Sequence, residues 1–351
     1  MNICFVLPRY SRNPIGGHKI VYEYTNRLCL KGYNIYILYL NNKTFEEYDI
    51  PECIRPMASN IMTKIEPKWF KLDKKIKKLS ALSAIDIKKL NAMDICIATG
   101  VETVKQCEIL FPIAKKVYFI QGRETWVADE AYVNDTYKRG FNNIVISSWL
   151  KKVVDQYSLK PATLIRNPID LNIYKQIIPN EKRKLHTIGL LYHTDENKGL
   201  RYSYQVLEKL KGKYNDLDVY MFGTREPDKK FPALKKFVKN ASVDNLVELY
   251  NTVSVFICSS IYEGYGLTGM EAMACGAALV SSDYEAVHDY AVNNENALLS
   301  PVGDVDKMVG NVIYLFENEN ERSRLSKAGI KSLEKFNWDT AIDAIIEILE
   351  K

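Results

Sequence analysis

Apolar positions along this chain switch between two periods. Asn2 to Leu7 (NICFVL) is a short β-rich run, residues 19–32 (KIVYEYTNRLCLKG) repeat their apolar positions at helical spacing, and Tyr33 to Leu40 (YNIYILYL) is β-rich again. The pattern predicts strand, helix and strand, with Gly32 just past the helix end, joined as a right-handed β-α-β crossover. Further strands are expected at 94–98, 116–120, 142–147 and 163–166, each followed by helix or loop. Such alternation makes a doubly wound parallel sheet.

After Pro161, Pro168 and Pro179 the pattern restarts. It predicts a strand at 186–192 (HTIGLLY), a helix from Lys198 to Lys211, strands at 217–223 and 253–260, a helix at 268–275 and a strand at 277–282 (AALVSS). The expectation is an α/β protein of two Rossmann-like domains, 1–168 and 169–337, facing a central cleft, with the linker near 167–180. The last helix, 338–351, either finishes the second half or crosses back to the first.

A chain of 351 residues suits two domains, and 47% hydrophobic with 26% charged residues suits a globular protein with a large core. The opening run MNICFVLPRYS is short, lacks a preceding cation and stops at Pro8, so a buried strand explains it better than a signal peptide. No stretch of 18 apolar residues is present to form an ordinary spanning helix. Seven cysteines, odd in number and without a C-x-x-C pair, read as small core residues in a reducing compartment, which places the protein in the cytoplasm. The net charge of +5 is unevenly placed: residues 68–79 (KWFKLDKKIKKL) hold six lysines and one aspartate. As a helix, this segment either lies on an anionic membrane at the inner face of the plasma membrane or packs on the sheet with a solvated basic face. No nucleic-acid motif accompanies the lysines.

Open parallel sheets bind ligands beyond the carboxyl ends of their strands, where helix N-termini present amides. Residues 259–282 (SSIYEGYGLTGMEAMACGAALVSS) fit that position. Gly264 and Gly266 let an anion approach bare N–H groups, each charge-assisted bond contributing about 1.5–3 kcal/mol. Glu271 has two readings. Thr268-Gly-Met-Glu271 is a T-x-x-E capping box, in which the carboxylate serves only the helix end. Glu263 would repel phosphate from its tight turn unless it bonds hydroxyls, and a ligand with both phosphates and hydroxyls is a sugar nucleotide. Two further loops match: residues 12–19 (RNPIGGHK) put Gly16 and Gly17 at a helix start, and residues 192–200 (YHTDENKGL) offer Lys198 to a diphosphate. The first of them lacks the G-x-G-x-x-G spacing of a nicotinamide site. Asp304-Val305-Asp306 reads as a helix N-cap with a first-turn acid rather than a metal-binding pair, so no metal site is expected. His18 and His193 read as polar loop residues ahead of catalysts. Gln121 to Glu124 (QGRE) either lines the acceptor side or is an ordinary loop.

With these residues in place, the chain resembles the retaining glycosyltransferases of family 4, the glycosyltransferase group 1 enzymes with the two-domain fold called GT-B. The carrying motif is E-x7-E, Glu263 to Glu271 in EGYGLTGMEAMACG, followed by ALVSSDYEAVHDYA and NALLSPVGD. PIGGHKIVYEYTNRLCLKGYNIYIL, VISSWLKK, LIRNPIDLNIY and ENKGLRYSYQVLEKL support it. The N-terminal block looks closest to members that build bacterial surface polysaccharides, rhamnosyltransferase-like ones included. The resemblance implies that Glu271 bonds the ribose, that Glu263 holds the transferred sugar, and that amides of Gly266, Leu267 and Thr268 contact sugar or phosphate. Lys198 would neutralise the diphosphate, with Gly264, Tyr265, Tyr192 and His193 also on the donor side and Gly16 and Gly17 near the leaving phosphate. Gln121, Arg123, Glu124 and His18 would face the acceptor. The final helix would cross back to the N-terminal domain. The implied donor is a UDP- or dTDP-sugar used without cofactor, and the acceptor a glycan or lipid-linked saccharide. One departure is plain: the family's arginine shortly before the lysine is absent, leaving Arg166, Arg123 or Lys19 as substitutes. A sugar-nucleotide epimerase or hydrolase, or a silent partner-binding subunit, are the competing readings.

Overall fold

A computed structural model describes residues 1–41, 44, 51–228 and 231–351. It divides into two compact units, Met1–Asn167 with Ala341–Lys351, and Pro168–Thr340. The first unit contains β1 (Asn2–Leu7), α1 (Gly16–Leu30), β2 (Asn34–Tyr39), α2 (Arg55–Ile65), β3 (Lys77–Ser80), α3 (Ala84–Lys89), β4 (Ile95–Ala98), α4 (Val101–Leu110), β5 (Lys115–Ile120), α5 (Glu130–Thr136), β6 (Asn142–Val145), α6 (Ser148–Asp155) and β7 (Thr163–Leu164). Its seven strands pair in parallel in the order β3-β2-β1-β4-β5-β6-β7. Phe5 of β1 lies between Ile37 and Ile97, and Ile3 to Val6 are fully buried. Helices cover both faces of such a sheet, so its central strands carry unbroken apolar runs instead of alternation.

In the second unit, β8 (Thr187–Leu191), α7 (Leu200–Lys213), β9 (Asp218–Gly223), β10 (Leu234–Lys239), α8 (Val243–Thr252), β11 (Val255–Cys258), α9 (Leu267–Ala274), β12 (Ala278–Ser282), β13 (Leu298–Ser300), α10 (Val305–Glu317) and α11 (Glu319–Ser332) follow one another. The parallel order is β10-β9-β8-β11-β12-β13. In both sheets the order reverses beside the first strand, the switch point at which open α/β sheets take ligands. A last helix, α12 (Trp338–Glu350), joins the first unit from Ala341 onward. Lys115 Nζ donates to Ile348 O (2.6 Å) and Tyr33 OH to Glu350 Oε1 (2.6 Å), holding its end against β5 and the turn between α1 and β2.

The segment 68–79 is not a helix, which corrects both sequence readings of it. It is an extended loop that runs into edge strand β3. Its apolar residues are anchors: Trp69 Nε1 donates to Ser11 O (2.9 Å), and the rings of Trp69 and Phe70 pack 5.7 and 5.3 Å from that of Tyr22. Asn26 of α1 ties the loop twice, donating to Lys71 O (3.0 Å) and accepting from the Asp73 amide (2.8 Å). Spacing alone could not separate these loop anchors from a helical stripe. Edge strand β10, Leu234–Lys239, also went unread, because a half-exposed strand bearing lysines shows no apolar run.

Candidate functional site

In the second unit the loop after β8 and the loop after β11 are fastened to each other. The Asn197 carbonyl accepts the amides of Ile261 (2.7 Å) and Tyr262 (3.3 Å), and Ser259 Oγ donates to Gly199 O (2.9 Å). Gly199 makes this approach possible. Its φ is +60°, and a Cβ there would lie 1.9 Å from Ser259 O. The closure brings Lys198 Nζ to 2.6 Å from Glu263 Oε2, while Ser260 Oγ donates to Glu263 Oε1 at 2.8 Å. Both charged side chains keep some exposure, 27% for Lys198 and 12% for Glu263, so the pair is open to an incoming ligand.

The turn that follows Glu263 ends at Gly266, the N-cap of α9, with φ +93°. A Cβ there would meet Tyr284 Oη at 2.0 Å; Tyr284 and Tyr290 share a 2.8 Å hydroxyl bond, and Tyr290 OH donates to Gly266 O (3.0 Å). Two buried tyrosines thus brace the turn from behind. The N-cap of α9 is Gly266, which has no side chain to offer, so Thr268 does not hold the cap position that the T-x-x-E reading gave it. The helix begins at Leu267, which puts Thr268 inside the first turn instead of at the cap. Glu271 is buried and accepts a 3.0 Å bond from Tyr250 OH, and the amides of Leu267 and Thr268 belong to the first turn of α9, where a helix has no intrahelical acceptors for its N–H groups.

Tyr192 does not present its ring to this site. It is buried edge-on to Phe231 (5.8 Å) and Phe237 (6.0 Å), and its hydroxyl accepts from the Asp228 amide (3.2 Å). His193 does belong to the loop. Its Nδ1 accepts from the Asp195 amide (3.1 Å), so the neutral ring carries its proton on Nε2. Burial and then the Lys198 charge hold its pKa below the usual histidine value. The charge of Arg225 acts on the same ring. Arg225 is exposed two residues past Gly223, where a Cβ would sit 2.5 Å from Tyr192 O, so the β9 turn rides directly on the β8 loop. Sequence reasoning missed this cation; its signal was a strand end at the same level of the sheet. The named substitutes lie in the other unit, where Arg123 pairs with Glu130 and Arg166 donates to Ser148 Oγ (2.8 Å).

In the first unit Gly16 begins α1, and a Cβ at Gly17 would touch Gln121 Nε2 at 3.4 Å. His18 Nε2 donates to Arg9 O (2.9 Å), and burial lowers its pKa. Glu124 Oε2 accepts from the Val101 amide at the start of α4 (2.5 Å). Burial lifts its pKa to about 7, against the lowering by that N–H bond, with Glu102 adding a small rise. The folded protein therefore binds a proton here that the unfolded chain releases above its ordinary carboxyl pKa. Stability from this group is present at low pH and is lost as pH rises toward and through about 7. Glu124→Gln, which keeps the Val101 bond, should raise the thermal midpoint at pH 8 and flatten its decline between pH 5 and 8 (about those limits). Thermal scans across that range would test it; an unchanged slope would refute it.

Asp304 Oδ1 caps α10 by accepting from the Lys307 amide (2.9 Å), and Asp306 pairs with Lys209. Among the described residues no helix is long and apolar enough to cross a membrane.

Two Rossmann-like parallel-sheet domains, of seven and six strands, are the architecture of GT-B glycosyltransferase structures, and comparison with solved structures agrees. Sucrose-phosphate synthase from Thermosynechococcus elongatus superposes with a TM-score of 0.75 at 15% identity, over 99% of this chain and 98% of that one. Anabaena HepE in complex with UDP-glucose gives 0.74 at 13% identity, over 100% and 99%. Residues 172–332, a little under half of the chain, match the family model for glycosyl transferases group 1. Phosphatidyl-myo-inositol mannosyltransferase of Mycolicibacterium smegmatis is 22% identical over 199 residues, 54% of this chain and 52% of that protein. The chain thus spans about half the length of this curated relative and 25% and 29% of the next two.

Proposed function

We propose that the protein is a retaining glycosyltransferase of family 4 that moves a sugar from a nucleoside diphosphate sugar, UDP- or dTDP-linked, to a hydroxyl of a glycan or lipid-linked saccharide. The observation that carries this reading is the Lys198–Glu263 pair beside the uncapped amides of Leu267 and Thr268, inside the segment that matches the family model. As the bond from the sugar's anomeric carbon to the diphosphate breaks, its electron pair passes to a phosphate oxygen. Lys198, the α9 amides and Arg225 stabilise that charge without a metal. Glu263 turns to the hydroxyls of the sugar and Glu271 to the ribose. The acceptor hydroxyl attacks from the face the phosphate leaves, and its proton goes to the departing phosphate oxygen. Gln121, Arg123, Glu124 and His18 are assigned to the acceptor, whose setting is a bacterial surface glycan built at the cytoplasmic face of the membrane.

Calorimetric titration with UDP, dTDP, GDP and ADP tests the donor half. One nucleotide should bind, and Glu271→Gln, which still accepts from Tyr250, should weaken it about 10- to 100-fold, the worth of a charged hydrogen bond. Binding of none, or binding indifferent to Glu271, would overturn the assignment. Donor turnover that needs no acceptor would replace transfer with hydrolysis or epimerisation.

A further inference from the structure

Two buried tyrosines of the loop after β12 converge on one backbone carbonyl. Tyr284 and Tyr290 stand at either end of a single 3-10 turn, Glu285–Asp289, and are 3 and 2% exposed. Neighbouring bonds fix that turn. Asp283 N donates to Ser300 O (2.7 Å), and Asn296 Nδ2 donates both to the Tyr290 carbonyl (3.0 Å) and to Ser332 Oγ (2.9 Å). Burial holds both tyrosine hydroxyls far above their usual pKa, so each keeps its proton and can donate. Tyr290 OH donates to Gly266 O (3.0 Å), which sets the sense of the 2.8 Å bond between the two rings: Tyr284 OH donates to Tyr290 Oη.

The helix end does not need this chain of hydroxyls. Gly266 O already accepts from Gly269 N (3.2 Å), as a carbonyl at a helix start does, and the tyrosine takes its second lone pair. Helix α9 is nevertheless shaped to admit the hydroxyl. A Cβ at Gly269 would lie 2.8 Å from Tyr290 Oη, and so would one at Gly266. Glycine inside a helix is less stable than alanine, and at Gly269 the missing Cβ leaves the room that Tyr290 fills.

Peptide geometry decides where the effect of the chain goes. The Gly266–Leu267 peptide is trans, so its N–H points opposite to its C=O. The C=O runs along α9 toward Gly269, and the Leu267 N–H therefore points out of the helix start. A donor bonded to a carbonyl draws charge through the planar peptide and makes the N–H on its far side a stronger donor, by about 10–30% per bond in such a chain.

We propose that Tyr284 and Tyr290 are positioning residues for phosphate: their hydroxyl chain, ending on Gly266 O, fixes the direction of the Leu267 N–H and strengthens it as a donor to a diphosphate oxygen. This rests on the reading of the α9 start as the diphosphate site, but the amide itself can be observed without ligand or turnover.

Phenylalanine variants of the full chain test it, with pyrophosphate and the four nucleoside diphosphates as probes. Tyr290→Phe breaks the bond to Gly266 O and leaves the Tyr284 hydroxyl buried without its acceptor, so thermal midpoint and diphosphate affinity should both fall. Tyr284→Phe together with Tyr290→Phe leaves no such hydroxyl. Removing both partners of a buried bond is nearly neutral, so the midpoint should return to that of the unaltered protein. Diphosphate affinity should stay about three- to tenfold down, a fraction of one charge-assisted bond. In 15N-leucine-labelled protein the Leu267 amide, identified by the peak that Leu267→Met removes, should move upfield in the double variant with no ligand present. If affinity returns together with the midpoint, or the amide does not move, the tyrosines only brace the turn and the proposal is overturned. If the amide moves but the unaltered protein binds neither pyrophosphate nor any of the nucleotides, the diphosphate reading is what fails, and the positioning role falls with it.

Discussion

Glu263→Gln is expected to lower sugar transfer by about a thousandfold while changing nucleotide affinity only a few-fold, a loss like that of one preorganised electrostatic group at a reacting centre. In the ligand-free site this carboxylate is fixed from two sides, by Lys198 at 2.6 Å and Ser260 at 2.8 Å. Glutamine keeps the size and the Ser260 bond but removes the charge that holds sugar hydroxyls. Lys198 then loses its ion-pair partner and is freer to meet a diphosphate, so affinity for the nucleotide should hold or rise. Initial transfer rates and calorimetry on the same preparation separate the two effects. If affinity collapses while transfer by saturated enzyme survives, the roles of Glu263 and Glu271 must be exchanged.

Gly199→Ala should have the second largest effect, because it damages the frame that brings those groups together. The left-handed backbone costs an alanine about 1–2 kcal/mol by itself. Steric overlap costs more, since the new Cβ would sit 1.9 Å from a backbone oxygen and 2.8 Å from its carbon, neither of which can rotate aside. The β8 loop must retreat from the β11 loop, breaking the Asn197 bonds and parting Lys198 from Glu263. Transfer should drop about a hundredfold or more, the usual result of misplacing positioning groups by about 1 Å, with a fall of several degrees in thermal midpoint. Gly212→Ala is the matched control. That glycine lies in the last turn of α7 with nothing within 4 Å of its Cβ, so alanine should raise stability by up to about 1 kcal/mol. Equal behaviour of the two variants would remove the argument from close approach.

What could be read from the chain followed from burial. Central strands such as β1 and β11 are covered on both faces, and their apolar runs stand out from the helical periods around them. The Glu263 to Glu271 stretch was equally visible as strand, glycine turn and helix. Edge strands β3 and β10 were not, since half-exposed strands carry no such run.

Residue pattern by itself determined the parallel α/β class, the two-part organisation expected of it and the strand end that carries the candidate chemistry, because local periodicity reports burial one element at a time. Only the tertiary structure decided which partner each polar group takes. Glu271 meets Tyr250, Tyr192 turns into the core, the charge of Arg225 reaches the His193 ring from a different strand end, and the basic stretch after α2 becomes a loop anchored on Tyr22. These choices lie between residues far apart in the chain, and they are settled by packing, which spacing along one element does not encode.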